Sequence, residues 1–468
     1  MTITGLDLAV IAIYFGLIGI FAFYTRRTKS FAEFSVARHS IPATMIFASM
    51  CASYIGPGFA VGMTSKGYVS GYLFYFMAMA FVVQTILVGI FIAPRLSSRF
   101  RDCHTIGDVM ARCYGPVAHL LAGIVSVGLC IGFCAIMAKI GGSMLHAITG
   151  WDLMLCIALI TGATALYTMT GGIRASIATD ALQFGLFSII IPVLLLMAVF
   201  KSPDAGEVWL RAKALTQQGF GGMSMIQIAA VLLSFLLGET LIPPYANRAL
   251  AAKGESESRR GFIFAGGFGV IWLAIVITLG VFGHQFVPAG TAPDNVFLAM
   301  GGALLPSGAF GFLLAAMIAI VMSSQDSVIN AGAVSVVRDV IGFKKEMPDR
   351  SSLLTGRAST LIIAVLAAVV ARYSPGIIEG LLILYSIWAP ALLLPLLFGL
   401  FRRKVIHAAG VSAMLAGGLS SIIWQFALKS PGGFPAILVG LGTGLVGFVL
   451  GSVFGKRYSV LKQEGANV

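Results

Sequence analysis

The chain has 468 residues, of which 58% are hydrophobic and only 10% charged, and its mean hydropathy is +0.95. A soluble chain of this length divides into about three domains, whereas this composition puts most of the chain in lipid, where about 20 apolar residues make one spanning helix. A dozen or so spans with short connections consume the length and leave no room for a separate soluble domain.

In chain order, the first apolar stretch covers 5–25. It lacks a basic leader, and Arg26 and Arg27 follow it, so it reads as a span and not as a cleaved signal. Spans 2 to 6 are expected at 41–64, 71–94, 117–147, 152–170 and 179–200. Spans 7 to 11 are expected at 224–246, 261–284, 307–331, 356–372 and 376–400, and two more at 405–427 and 433–455. The expectation is an all-α polytopic membrane protein of about thirteen helices, one transporter domain over 1–468 with a tail at 456–468. A β-barrel is excluded, because its strands alternate apolar and polar residues while 186–200 and 360–371 are unbroken apolar runs. The 56 glycines suit close packing of helices in lipid. The six cysteines sit mostly in apolar runs and read as small buried hydrophobes, without zinc spacing.

The net charge of +13 would fit nucleic acid only if the basic residues clustered on a soluble surface. They do not. With the N-terminus outside, 24 of the 31 Lys and Arg fall on the inner connections, their flank and the tail. The positive-inside rule then orients the chain in a plasma (inner) membrane, with the C-terminal tail cytoplasmic and no nucleic acid needed. The longer outer connections, 201–223 and 285–306, read as short lids or as plain surface loops.

Helix breakers give the clearest sign of organisation. Gly56, Pro57 and Gly58 interrupt span 2, and Gly238, Pro243 and Pro244 interrupt span 7. Lipid does not tolerate exposed backbone groups, so such breaks persist only where protein covers them or a cavity takes them up. The two broken spans lie five apart. Since five is odd, five-helix units starting at spans 2 and 7 run in opposite directions. This is the pattern of an inverted-repeat secondary transporter with a midplane site, in units of 41–200 and 224–400. The alternative for each break alone is a packing kink.

The few polar residues within spans are informative because they are costly there. Asp180 follows Thr170-Gly171-Gly172 and Thr179. It reads either as a helix N-terminal carboxylate or as a ligand for a hard monovalent cation. Ser323, Asp326, Ser327 and Asn330 share one face of span 9. Glu239 adjoins the second break. Lys139, deep in span 4, is either a solute contact or an ion-pair partner of Glu239 or Asp326. No Walker-type P-loop, HExxH motif or selectivity filter is present, so the chain is not expected to be an enzyme, an ATP-driven pump or a channel.

Several segments together resemble the sodium/solute symporter family, whose members carry proline, sugars, pantothenate and related nutrients. The run Thr170 to Gln183 is similar to the signature T-G-G-x-x-A-x-x-x-T-D-x-x-Q. Ala316 to Asp339, with Met322-Ser323-Ser324-Gln325-Asp326-Ser327, resembles the family's ion-binding helix. Ala52-Ser53-Tyr54-Ile55-Gly56 resembles its first broken helix, and Arg248-Ala249-Leu250-Ala251-Ala252-Lys253 the loop after the second. The resemblance implies a LeuT-type 5+5 inverted repeat over spans 2 to 6 and 7 to 11. It also implies a sodium site at Ala52, Ile55, Ile320, Ser323 and Ser324, and a second cation site at Asp180 and Ser327. Tyr54 stands where some members have an acid or amide, Pro57 stiffens the break, and Lys139 replaces a neutral polar residue.

The expectation is therefore a sodium-coupled symporter that imports a small polar organic solute, with sodium as coupling ion and no other cofactor. The solute contacts expected at the breaks and at spans 4 and 11 are Tyr54, Gly56, Lys139, Gly238, Glu239 and Tyr385. The rivals are a proton-coupled symporter of the same fold and a membrane sensor, which would be expected to carry a signalling domain.

Overall fold

Apolar runs in lipid become helices because every backbone N–H and C=O has to be bonded within the segment. The computed structural model describes residues 3–25, 28–219, 223–344, 347–374, 376–455 and 457–459. Arg26, Arg27 and all but 457–459 of the 456–468 tail, which enter the charge count, lie outside the described residues. The larger helices are α1 (Gly5–Thr25), α2 (Ala43–Tyr54), α3 (Gly58–Ser70), α4 (Leu73–Arg99), α5 (Pro116–Thr149), α6 (Leu153–Lys201) and α7 (Met225–Leu237). They continue with α8 (Pro243–Ala251), α9 (Glu255–Phe286), α10 (Ala309–Ile341), α11 (Asp349–Ala371), α12 (Ile377–Phe401), α13 (His407–Ala427) and α14 (Ala436–Phe454). Among the described residues nine of these are long and apolar enough to cross a membrane, or ten when the bent pair α2 and α3, set at 60°, is taken as one. A two-stranded antiparallel ribbon pairs 404–406 with 457–459.

The connections are more helical than expected. Short helices occupy Phe31–Val36, Ile106–Tyr114, Ala205–Gln217 and Val296–Leu304, so both longer outer connections carry ordered segments. The predicted loop 171–178 is the larger correction. At 1.5 Å per residue the 49 residues of α6 would extend about 74 Å, more than twice the bilayer core. One residue makes the turn. Gly172 adopts φ 60°, ψ −152°, and a Cβ there would lie 2.6 Å from the backbone oxygen of Phe34. Residues 173–178 stay helical, so a single glycine does the work expected of an eight-residue loop.

The core of the bundle is α10. In its most apolar window 94% of residues are buried, against 22% for the peripheral α14. It packs on α6, α5 and α11, while α9 packs on α2, α3 and α4. Asp7 ties α1 to the start of α10, its carboxylate accepting the N–H groups of Gly308 at 2.8 Å and Gly311 at 2.7 Å. This is a favourable place for negative charge, at the electropositive end of a helix. All six cysteines are buried and unpaired. Burial pushes the Cys113 thiol, in the Ile106–Tyr114 connection, up to about 12, as expected of inert packing residues.

The α3/α9 crossing depends on two glycines. A Cβ on Gly67 would sit 2.3 Å from the Ile277 oxygen, and one on Gly280 would sit 2.0 Å from the Thr64 oxygen. The Thr64 hydroxyl donates to the Val276 carbonyl at 3.1 Å across the contact. Gly280→Val should therefore lower the thermal midpoint in detergent by an amount matching about 1–3 kcal/mol of overpacking. Gly267→Val, on the same helix with nothing within 4 Å of the added carbon, should leave the midpoint nearly unchanged. Equal shifts would refute the close crossing.

Candidate ion and solute site

The first break lies between α2 and α3. Ile55 leaves helical geometry at φ −84°, ψ 23°, and Pro57 has no N–H to offer. The Gly56 carbonyl turns to accept the N–H groups of Phe59 at 2.9 Å and Ala60 at 3.1 Å, which starts α3. The second break joins α7 to α8 through Gly238–Ile242. Leu241 is held at φ 51°, a left-handed conformation that a branched side chain rarely adopts. Pro243 and Pro244 then open α8, where a missing N–H does no harm. Protein groups cover this second break: the Trp388 indole donates to the Thr240 carbonyl at 3.1 Å, and the Gln84 amide donates to the Thr240 hydroxyl at 3.2 Å.

α10 lies against the first break with its serines facing it. The Ser323 hydroxyl is 3.0 Å from both the Ala52 and the Ile320 carbonyl oxygens, and the Ser324 hydroxyl is 3.1 Å from Ile320 O and 3.5 Å from Ser53 O. Ala52, Ile320, Ser323 and Ser324 thus meet in one buried cluster, with Ile55 at the adjoining helix end. Gly56 has to be a glycine here, since its Cβ would fall 2.7 Å from the Ser324 hydroxyl.

One turn further along α10, the polar face meets α6. Asp326 accepts hydroxyls from Tyr167 at 2.7 Å, Ser176 at 2.8 Å and Ser327 at 2.9 Å. Asp180 and Ser327 do come close to one another, and the cation between them is the guanidinium of Arg248. Its Nη2 lies 2.8 Å from Asp180 Oδ2, 2.5 Å from the Ser327 hydroxyl and 2.7 Å from the Ser53 hydroxyl. Its Nε donates to Ser49 at 2.7 Å. Asp180 Oδ1 is buried with no hydrogen-bond partner among the described residues. Asn330, the last member of the face, donates to the Phe34 carbonyl at 3.3 Å.

A small cavity opens between the breaks, bounded by Tyr54, Gly56 and Phe59 on one side and by Glu239 and Tyr245 on the other. Its free volume is about 30 Å³, room for about one water molecule. Glu239 accepts the hydroxyl of Tyr245 at 2.8 Å through one oxygen and that of Tyr385 through the other. Gly238 allows this approach, because a Cβ on it would be 2.4 Å from the Cβ of Tyr385.

Lys139 departs from expectation. It pairs with neither Glu239 nor Asp326; its ammonium donates to the Ser374 carbonyl. It lines a separate cavity of about 210 Å³ with Asp294, Asn295 and Gly376. The carboxylates expected to hold it are taken by hydroxyls, so Lys139 contributes no charge to the space between the breaks. Arg248, expected in the loop after the second break, instead lies in α8 and reaches the buried site. Its signal was available, since a basic residue four or five positions past two prolines, inside an alanine-rich stretch, cannot reach water easily. Tyr245 and Ser49 carried no such mark.

A model of the sodium:solute symporter family matches residues 34–417. A sodium/proline symporter of Staphylococcus aureus is 25% identical over 89% of this chain and 85% of its own length. The human sodium/myo-inositol cotransporter is 25% identical over 91% of this chain and 68% of its own. A solved structure of a Na⁺-coupled sialic acid symporter superposes with TM-score 0.83 at 18% identity, over 97% of this chain and 99% of that one. A nucleobase-cation-symport-1 family transporter superposes at 0.63 with 12% identity. The match spans both helix breaks, the Gly172 turn and the whole of α10, and the chain belongs to the sodium:solute symporter family.

Proposed function

We propose that the chain is a sodium-coupled secondary symporter that brings a small polar organic solute into the cell by alternating access. The observation that carries this reading is the meeting of the Ala52 and Ile320 carbonyls with the Ser323 and Ser324 hydroxyls at the first helix break. A hard cation takes oxygen ligands, and this cluster offers four, with the Ile55 carbonyl as a fifth. Sodium bound there links α2 to α10. The electrical gradient alone supplies about 2.3 kcal/mol per 100 mV for each charge entering. Asp180, whose Oδ1 is unpartnered and whose Oδ2 shares Arg248 with Ser327, is with Ser327 the proposed second cation site, reached when Arg248 withdraws.

Counting α6 as two passes about Gly172, and α2 with α3 and α7 with α8 as one pass each, the helices make thirteen passes. The first is additional, passes 2 to 6 (41–200) and 7 to 11 (224–400) form a LeuT-type inverted repeat, and the last two (405–455) are again additional. The N-terminus is proposed outside and the tail cytoplasmic in the plasma membrane, as the basic connections favour. In this orientation Arg248 lies on the cytoplasmic side of the second break. There it ties α8 to α2, α6 and α10 and closes the inward path.

Ser323→Ala combined with Ser324→Ala keeps the helix, since alanine is the best helix former, and removes two ligands. The sodium concentration for half-maximal uptake into proteoliposomes should rise at least about tenfold, or about 1.4 kcal/mol. Uptake that follows a proton gradient and ignores sodium would refute the assignment.

Arg248→Gln leaves Asp180 buried without its cation, and breaking one side of such a pair costs about 3–5 kcal/mol. Adding Asp180→Asn to that variant should recover most of the lost thermal stability. Simple addition of the two losses would show that the pair is not coupled.

For the orientation, a reporter fused after Val468 should be active only in the cytoplasm. Activity on the outer side would overturn both the thirteen-pass count and the inverted repeat.

A further inference from the structure

Glu239 is the one charged residue lining the cavity between the breaks, among the described residues. It is 3% exposed, and two phenol hydroxyls orient its oxygens without neutralising them. No Lys, Arg or His of the described residues forms an ion pair with it. The two candidates are committed elsewhere: Arg248 to Asp180 and its serines, Lys139 to Ser374 in the other cavity. A buried carboxylate without a cation is costly, a cost that a proton or a cationic ligand would relieve.

The remaining walls suit the same ligand. Tyr54 and Phe59 line the cavity with their rings stacked on Phe81, each at 4.4 Å between centroids, and Phe133 closes a further side against Tyr385 at 6.0 Å. Aromatic faces attract ammonium-type cations. A carboxylate or phosphate on the solute would meet Glu239 with no free cation to offset it. A neutral polyol needs several directed donors and acceptors, yet Ser53, Ser324 and Ser327 are already engaged with the ion-binding face.

We propose that the solute of this chain is an organic cation, a compound whose single charge is an ammonium-type nitrogen, and that Glu239 is its counter-ion. The inference rests on the symporter reading for the act of transport, but the binding step can be tested by itself. Because the free volume of about 30 Å³ is too small for such a cation, it enters only when α3 and α8 move apart.

The test uses the purified full-length chain in detergent and reads the thermal midpoint, which rises with any ligand that binds the folded state. The probes are methylammonium and choline as cations, glycine betaine as a zwitterion and 3,3-dimethyl-1-butanol as the uncharged isostere of choline, each in sodium and in potassium. The cations should raise the midpoint in sodium. The zwitterion and the neutral isostere should need at least about tenfold higher concentration for the same shift. Glu239→Gln should lose the response to the cations while keeping its own stabilisation by sodium, which shows that the variant is folded. The proposal is overturned if the neutral or zwitterionic probe matches the cations, if neither cation has an effect, or if Glu239→Gln responds as the wild type does. A response to the cations with no stabilisation by sodium in either protein would instead remove the sodium reading and leave Glu239 as the counter-ion.

Discussion

An interrupted helix inside a bilayer has to find partners for the groups that the missing turn would have bonded. Two interruptions set the architecture around them. At the second, the Trp388 indole bonds the freed Thr240 carbonyl, while Gln84 and two tyrosines hold the side chains of Thr240 and Glu239. At the first, the Ala52 carbonyl meets only a serine hydroxyl from another helix. A serine can exchange that bond for a metal contact at little cost, whereas a buried indole donor cannot. The asymmetry between the breaks supports the proposed division into a place for an ion and a place for an organic molecule.

Charge balance extends the same constraint along α10. Asp180 and Asp326 are fully buried within reach of a single cationic side chain, Arg248, and Ser327 touches both Arg248 and Asp326. Four hydroxyls on Asp326, from Tyr167, Ser176, Thr179 and Ser327, lower the cost of its charge without cancelling it. With both carboxylates ionised, the cluster carries one negative charge beyond what Arg248 offsets. A monovalent cation entering beside Ser323 and Ser324 relieves that excess. Breaking the Arg248 contacts without such an ion leaves two buried anions, so in the proposed orientation opening toward the cytoplasm would be costly unless another cation is present.

Much of this was legible in the sequence, for reasons that can be named. Lipid enforces helicity and forbids stray backbone, so the spans and the breaks at Gly56 and Gly238 could be read from composition and position alone. The face of Ser323, Asp326, Ser327 and Asn330 follows from helical spacing. The Gly172 turn was harder to see, because a left-handed glycine flanked by helix formers looks like the start of a loop. The partners of Lys139 and Arg248 were not legible. Which group a long cationic side chain meets depends on packing between distant segments, 68 residues apart for Arg248 with Asp180 and 235 for Lys139 with Ser374.

The ion cluster and the organic cavity share one short stretch of chain. Ala52 and Ser53 face the serines of α10, and Tyr54 and Gly56 line the space beside Glu239, all within five residues. Neither ligand can fix this stretch without changing what the other meets. On the proposed sites, a sodium ion that holds the Ala52 carbonyl toward α10 would also constrain Tyr54, two residues on, and a cation against Glu239 would meet the same side chain. Two ligands that favour one arrangement of a shared element bind with positive coupling, and that coupling is reciprocal. At the 1–3 kcal/mol that is typical of such linkage, about 5- to 150-fold in affinity, coupling through these five residues, which run from the end of α2 into the break, would make uptake of the solute depend on sodium.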